Sequence, residues 1–197
     1  MKRISLITFI FLICSCTDKK FNEKDAFLAY LVDKENGYLQ KKEINGIAFT
    51  LMYKPTDLMT MQELDSSVSF KDIRTRYDDY IYFLLSMSRN NSELLNSTVG
   101  NSDDFGRLVN KLSFEVDSYV HLFTEDRDTL MIADFIYPRL FGMSNSTSIL
   151  LVYPRDKGLL AKSDFLNLTV QDIGFFTGEV RFKISTKLIN NEPKLNF

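Results

Sequence analysis

The chain has little of the chemistry that most enzymes use. It has one histidine, two cysteines and no tryptophan in 197 residues. Cys14 and Cys16 lie two positions apart near the N-terminus, so everything after residue 16 lacks a thiol. That excludes a disulfide framework and a cysteine nucleophile from the body of the chain. His121 is the only imidazole, so a zinc site, which draws mostly on His and Cys, is not expected. No Gly-x-Ser-x-Gly elbow exposes a serine, and no glycine-rich turn with a following lysine cradles a phosphate. No metal and no cofactor is therefore expected. The formal charge is −2, with no basic stripe, which argues against nucleic acid as a partner. No stretch beyond the N-terminus approaches the roughly 20 apolar residues of a membrane-spanning helix. No repeat of solenoid period is present.

What is present begins with an address. Lys2 and Arg3 precede an apolar run, residues 4–13, broken only by Ser5 and Thr8. The run is too short to span a bilayer and has the form of a secretory h-region. It closes on Ile13-Cys14-Ser15-Cys16, after which the chain turns polar at Thr17-Asp18-Lys19-Lys20. Those four closing residues resemble a bacterial lipobox: an aliphatic residue, two small ones, then a cysteine. The resemblance implies cleavage between Ser15 and Cys16, diacylation of the Cys16 thiol, and acylation of the new amino group. The richness in Asn, Lys, Phe and Ile resembles small lipoproteins of the Bacteroidota. Asp128-Thr129-Leu130 is similar to their three-residue O-glycosylation motif. Together these resemblances imply a cell-envelope protein held to a membrane by lipid on Cys16, at the outer membrane or a periplasmic face. The mature chain would have 197 − 15 = 182 residues and a charge of −2 − 2 = −4. Beyond residue 16 the chain resembles no known family.

That length suits one domain with a real core, supplied by 17 Phe and 9 Tyr. Residues 16–24 are expected to form a lipidated tether, residues 25–190 the domain, and residues 191–197 a loose tail. The eight tether residues after Cys16 would reach about 25 Å at most. Residues 25–32 fit a short helix or a strand. Asn45-Gly46 separates two extended runs, residues 38–44 and 47–53, and predicts a two-residue hairpin turn. Thr56 is positioned to cap a helix, and a further half-helix is expected near Phe70, Ile73 and Tyr77. Residues 80–87 are apolar on both faces and predict a central strand covered by helices on one side. Residues 90–102 read as a polar loop. Ser102, then Asp103 and Asp104, predict the start of a helix carrying Phe105, Leu108, Val109 and Leu112. The period then switches to two. Strands are expected from Phe114 through Leu122, over residues 129–137, 149–153 and 165–170, and around Val180, Phe182 and Ile184. The class is α+β: mainly antiparallel sheet, an N-terminal hairpin plus a C-terminal meander, with two or three short helices.

Candidate chemistry is sparse. His121 reads as an exposed strand histidine. Glu125, Asp126 and Asp128 lack the glycine and distant glutamate of a calcium loop and read as a solvated turn. Asp78 and Asp79 are neighbours in an extended segment and so point apart. Phe175 and Phe176, between Gly174 and Gly178, are a candidate partner surface, and a plug at the sheet edge is the alternative. The resulting expectation is a non-enzymatic binding or assembly accessory of the envelope, with an unknown protein or small-molecule partner. A tethered envelope hydrolase, or a small-ligand carrier with an aromatic pocket, are the alternatives. A polar cleft with convergent carboxylates would favour the hydrolase, and a closed apolar cavity the carrier.

Overall fold

The structure is a computed structural model and describes residues 19–63 and 69–196. Cys14, Ser15 and Cys16 lie outside the described residues. In chain order the elements are β1 (Lys20–Phe21), α1 (Lys24–Val32), β2 (Leu39–Ile44), β3 (Ile47–Lys54), α2 (Thr56–Glu63), α3 (Phe70–Asp78) and β4 (Tyr80–Arg89). Next come α4 (Ser102–Phe114), α5 (Val116–Tyr119), β5 (Val120–Thr124), β6 (Thr129–Leu130), β7 (Asp134–Ile136) and β8 (Thr147–Pro154). The chain closes with α6 (Lys157–Lys162), β9 (Phe165–Val170), β10 (Val180–Ser185), α7 (Thr186–Asn190) and β11 (Lys194–Leu195).

The fold is α+β. A five-stranded antiparallel sheet has the order β2-β3-β4-β8-β7, and a four-stranded one the order β10-β9-β5-β6. Alternation makes the core. Phe49, Leu51 and Tyr53 of β3, Ile81, Phe83 and Leu85 of β4, and Ile149 and Leu151 of β8 are buried on one face of the large sheet. Leu122 of β5, Leu166 and Leu168 of β9, and Phe182 and Ile184 of β10 belong to the same apolar cluster. Each such side chain contributes about 1.5–3 kcal/mol by leaving water. The other face of the large sheet is covered at one end by α2 and α3, through Met59 and Tyr77 against Tyr82 and Val152. β4 is thus the central strand, with helices over its second face.

Asn45-Gly46 is the expected turn. Ile44 pairs with Ile47, and both turn residues have positive φ, 51° and 71°. Positive φ at both centres matches the right-handed twist of the flanking strands.

Several expectations are corrected. The run from Phe114 is not a strand. Leu108, Leu112, Val116 and Tyr119 are buried while Phe114 is exposed, and that spacing is helical; α4 and α5 occupy it and β5 starts at Val120. Residues 129–137 are not one strand either. β6 belongs to the small sheet and β7 to the large one, so the late strands are antiparallel but divided between two sheets rather than a simple meander. Residues 90–102 include a 3-10 turn, Leu94–Thr98, whose Leu94 and Leu95 enter the core. The described residues form seven α-helices, of which four span eight residues or more.

The termini also differ from expectation. β1 and β11 form a parallel pair, Lys20 beside Lys194 and Phe21 beside Leu195. The tail through residue 196 is therefore part of the domain, and so is the second half of the expected tether. The reason lies in Glu192 and Asp57. The Leu195 amide donates to Asp57 Oδ2 at 2.9 Å, and Glu192 enters a buried charge cluster. Aromatic rings continue the tie inward, Phe21–Tyr30–Tyr38–Tyr53–Phe83, at centroid distances of 5.2 to 6.0 Å.

Candidate functional site

Three places concentrate polar groups. The first is the buried cluster beneath the C-terminal segment. Arg155 Nη2 meets Glu192 Oε1 at 2.5 Å, and both side chains are 10% exposed. The same guanidinium donates to the Thr56 hydroxyl and to the Tyr80 and Ile189 carbonyls. Glu192 accepts from the Thr56 amide and from the Tyr53 hydroxyl. Burial works against the Arg155 charge, but the Tyr53 and Glu192 oxygens outweigh it and hold the guanidinium protonated. The polar groups named here bond to one another or to backbone. This is a clamp, not a site.

The second place is a cleft of about 660 Å³ at the end of the large sheet where the β2–β3 turn lies. α4 forms one wall. Its N-cap is Asn101, one residue before the expected Ser102, with the side chain accepting from the Asp103 and Asp104 amides at 3.1 and 3.2 Å. Arg107 and Lys111, one helical turn apart, line the cleft together with Arg89 of β4. Asp104 is its only carboxylate and pairs with Arg107. Three cations against one anion invert the sign of an acidic chain. Lys111 Nζ makes one bond, to the Ile173 carbonyl at 3.3 Å, and Arg89 has no carboxylate partner among the described residues.

The loop that carries Phe175 and Phe176 forms the opposite wall. The Asp172 carboxylate accepts from the Gly174, Phe175 and Phe176 amides at 3.1, 2.8 and 3.1 Å. Desolvation pushes the Asp172 carboxyl up, but its bonds to the loop outweigh this and hold it below the usual carboxylate range. Asn45 Nδ2 ties the loop to the hairpin turn through the Phe175 carbonyl at 2.7 Å. The two phenylalanines separate. Phe175 packs against the core, while Phe176, at a left-handed φ of 57°, is 88% exposed. The same end bears more exposed apolar side chains. Val99 comes directly after the 3-10 turn at the cleft rim. The loop with Phe141 and Met143 reaches that turn, where a Cβ on Gly142 would lie 3.2 Å from Asn96. All four side chains are at least 72% exposed.

The third place is a cleft of about 530 Å³ on the outer face of the small sheet. His121 and Phe123 of β5, Asn167 and Thr169 of β9, and Arg181 of β10 share that face, because His121 and Arg181 both pair with Thr169 and Phe123 pairs with Asn167. Asn167 is 8% exposed and Thr169 1%, and neither has a fully buried side-chain polar atom without a partner. His121 is half-buried, with Nε2 3.3 Å from Gln171 Nε2, and so is less exposed than expected. Glu125 and Glu179 are exposed at the rim, and Glu179 pairs with Arg181 at 2.8 Å.

Among the described residues no group of three or more His, Cys, Asp or Glu could hold a metal ion. None of the described helices is long and apolar enough to cross a membrane. Sequence reasoning singled out Phe175 and Phe176 in the first cleft and His121 and Glu125 in the other, but did not connect them with Arg107, Lys111 or Asn167 beside them. Arg107 and Lys111 at helical spacing around Leu108 were one available signal. Asn167 in a strand otherwise made of apolar residues and threonine was the other, since Asn is depleted in strands. No protein-family model, curated protein or solved structure matches the chain.

Proposed function

We propose that this protein is a lipid-anchored, non-enzymatic binding accessory of the cell envelope, which presents its cationic cleft and the rigid Phe176 loop to a protein partner. The anchor is the lipid on Cys16. Three Cα-to-Cα steps, through Thr17 and Asp18, separate Cys16 from Lys19, whose carbonyl accepts from the Lys194 amide. Fully extended they reach about 10 Å, far less than the longer tether expected from sequence. The membrane would then lie against the β1–β11 end of the domain.

The observation that carries the reading is the position of the cleft. The β1–β11 pair is held at the end of β3, where the Leu195 amide meets Asp57 and Tyr53 meets Glu192, while the cleft begins at Asn45, just before β3 starts. The six rises of strand from Ile47 to Tyr53 separate them by about 20 Å. The binding surface would face away from the membrane that holds the protein. Its make-up suits a partner with acidic groups and an apolar pocket. Exposed aromatics anchored in a partner's pocket dominate interface energies, and opposite charge steers the encounter.

A photo-crosslinking residue in place of Phe176 is expected to give a discrete adduct in intact cells. Charge reversal at Arg107 and Lys111 should abolish it. The same probe at Val32, exposed at the end of α1 and outside the cleft lining, should give none. Phe176→Ser should weaken partner binding by about 30-fold, equivalent to about 2 kcal/mol. Equal adducts from both positions, insensitive to charge reversal, would contradict the reading.

A further inference from the structure

We infer that the cationic cleft takes an extended acidic segment of the partner, with carboxylates at alternate residues and a large apolar residue between them. The inference rests on the partner reading above and narrows it to a chemistry. Charge comes first. Arg89 and Lys111 have no carboxylate partner among the described residues, and Arg107 has only Asp104, in an exposed pair of the kind that is held weakly. Three cations against one carboxylate leave two positive charges unmatched in a chain whose net charge is −2. The lining between the cations is apolar. Leu108 comes from α4, and Ile173 and Phe175 come from the facing loop. A simple anion would use the charges and leave that apolar surface uncovered.

Shape selects an extended chain. A helix with its side chains is about 10–12 Å across, so a cleft of about 660 Å³ holds about 7 Å of one, little more than a turn. An extended chain is about 4.8 Å by 10 Å in section and fills the same volume over about 14 Å, or roughly four residues. Spacing then sets the pattern. Arg107 and Lys111 leave α4 about 6 Å apart. Residues i and i+2 of an extended chain share a face and lie about 6.6 Å apart, so carboxylates at those two positions meet both cations together. Adjacent carboxylates point to opposite faces and reach only one. The side chain between the two acids turns to the other wall, where Ile173 and Phe175 lie. That wall is fixed before binding, because Asp172 and Asn45 hold the loop, so little ordering cost falls on the complex.

The test is isothermal titration of the full chain in octyl glucoside, an uncharged detergent, at low salt. The probe is a capped peptide with Glu-Leu-Glu between Gly-Ser flanks. It is expected to bind at least tenfold tighter than the Gln-Leu-Gln peptide, and than a Leu-Glu-Glu peptide of the same composition. Arg107→Gln with Lys111→Gln should raise its Kd tenfold or more while melting like the wild type. If the double variant unfolds, Arg107→Gln alone should still weaken binding. The proposal is overturned if Glu-Leu-Glu fails to bind at millimolar concentration, whether or not inorganic phosphate or phosphatidylglycerol vesicles bind. It is also overturned if the Leu-Glu-Glu peptide binds equally well, since charge without spacing is then enough. A charge-sensitive adduct at Phe176 in cells, with no peptide binding, would sink this proposal and leave the partner reading standing. Peptide binding without an adduct would do the reverse.

Discussion

Arg155→Ala is expected to destabilise the protein by about 3–5 kcal/mol, a large fraction of the ~5–15 kcal/mol available to a domain. The substitution leaves the Glu192 carboxylate buried without its cation, and removes donors from the Tyr80 and Ile189 carbonyls and the Thr56 hydroxyl. The Thr56 amide and Tyr53 hydroxyl still reach Glu192, but neither carries a compensating charge. The double variant Arg155→Met with Glu192→Leu should recover much of the loss, since replacing a whole buried pair by apolar groups is often close to neutral. Urea titrations of the three proteins measure the loss and its recovery. Hydrogen exchange should also speed up at the Leu195 and Asn196 amides, which bond to Asp57 and to the Phe21 carbonyl. A single-variant cost under about 1 kcal/mol, typical of a solvated pair, would contradict the clamp.

Alkaline pH should remove a comparable amount. Tyr38, Tyr53, Tyr119 and Tyr153 are each at most 4% exposed. Desolvation is the first cause that pushes each hydroxyl up. Tyr82 is raised to about 12 for the same reason. Unfolded tyrosine titrates near pH 10. Above that pH the unfolded chain releases protons that the folded chain keeps, so stability falls as pH rises. The contribution is fully present below about pH 10 and is lost as pH climbs toward and past 12. Each such tyrosine contributes about 1.4 kcal/mol per pH unit in that window, so four remove on the order of 5 kcal/mol by pH 11. The urea midpoint should be flat up to about pH 9 and then fall steeply. Tyr153→Phe should make the fall about a quarter shallower, without cost at neutral pH, because that hydroxyl is buried with no partner among the described residues. Ionisation of all nine tyrosines near pH 10 with the fold intact would contradict this.

Local patterns in the sequence foretell those parts of the fold that local physics decides. Asn45-Gly46 carries its own turn geometry, and residues 80–87 are apolar on both faces because β4 is covered on both. Parts decided by distant partners are hidden. Residues 191–197 look unstructured by themselves; only Arg155 and Asp57, far away in sequence, make their pairing favourable. Residues 129–137 read as one strand because nothing local marks the step between sheets. The helical run from Leu108 to Tyr119 was obscured by Phe114, an exposed aromatic that mimics strand alternation. The sites obey the same rule. Phe175 and Phe176 stand out between two glycines, but the Asp172 carboxylate that orients them acts through backbone amides and leaves no pattern of its own.

Intact mass of the protein extracted from cell membranes tests the account most directly. A chain that begins at Cys16 and carries a diacylglycerol on its thiol and an acyl group on its amine is the predicted result. Cys16→Ser should leave an uncleaved precursor or a water-soluble product. A mature chain with an unmodified Cys16 thiol would contradict the lipid anchor, and with it the placement of the cleft away from a membrane.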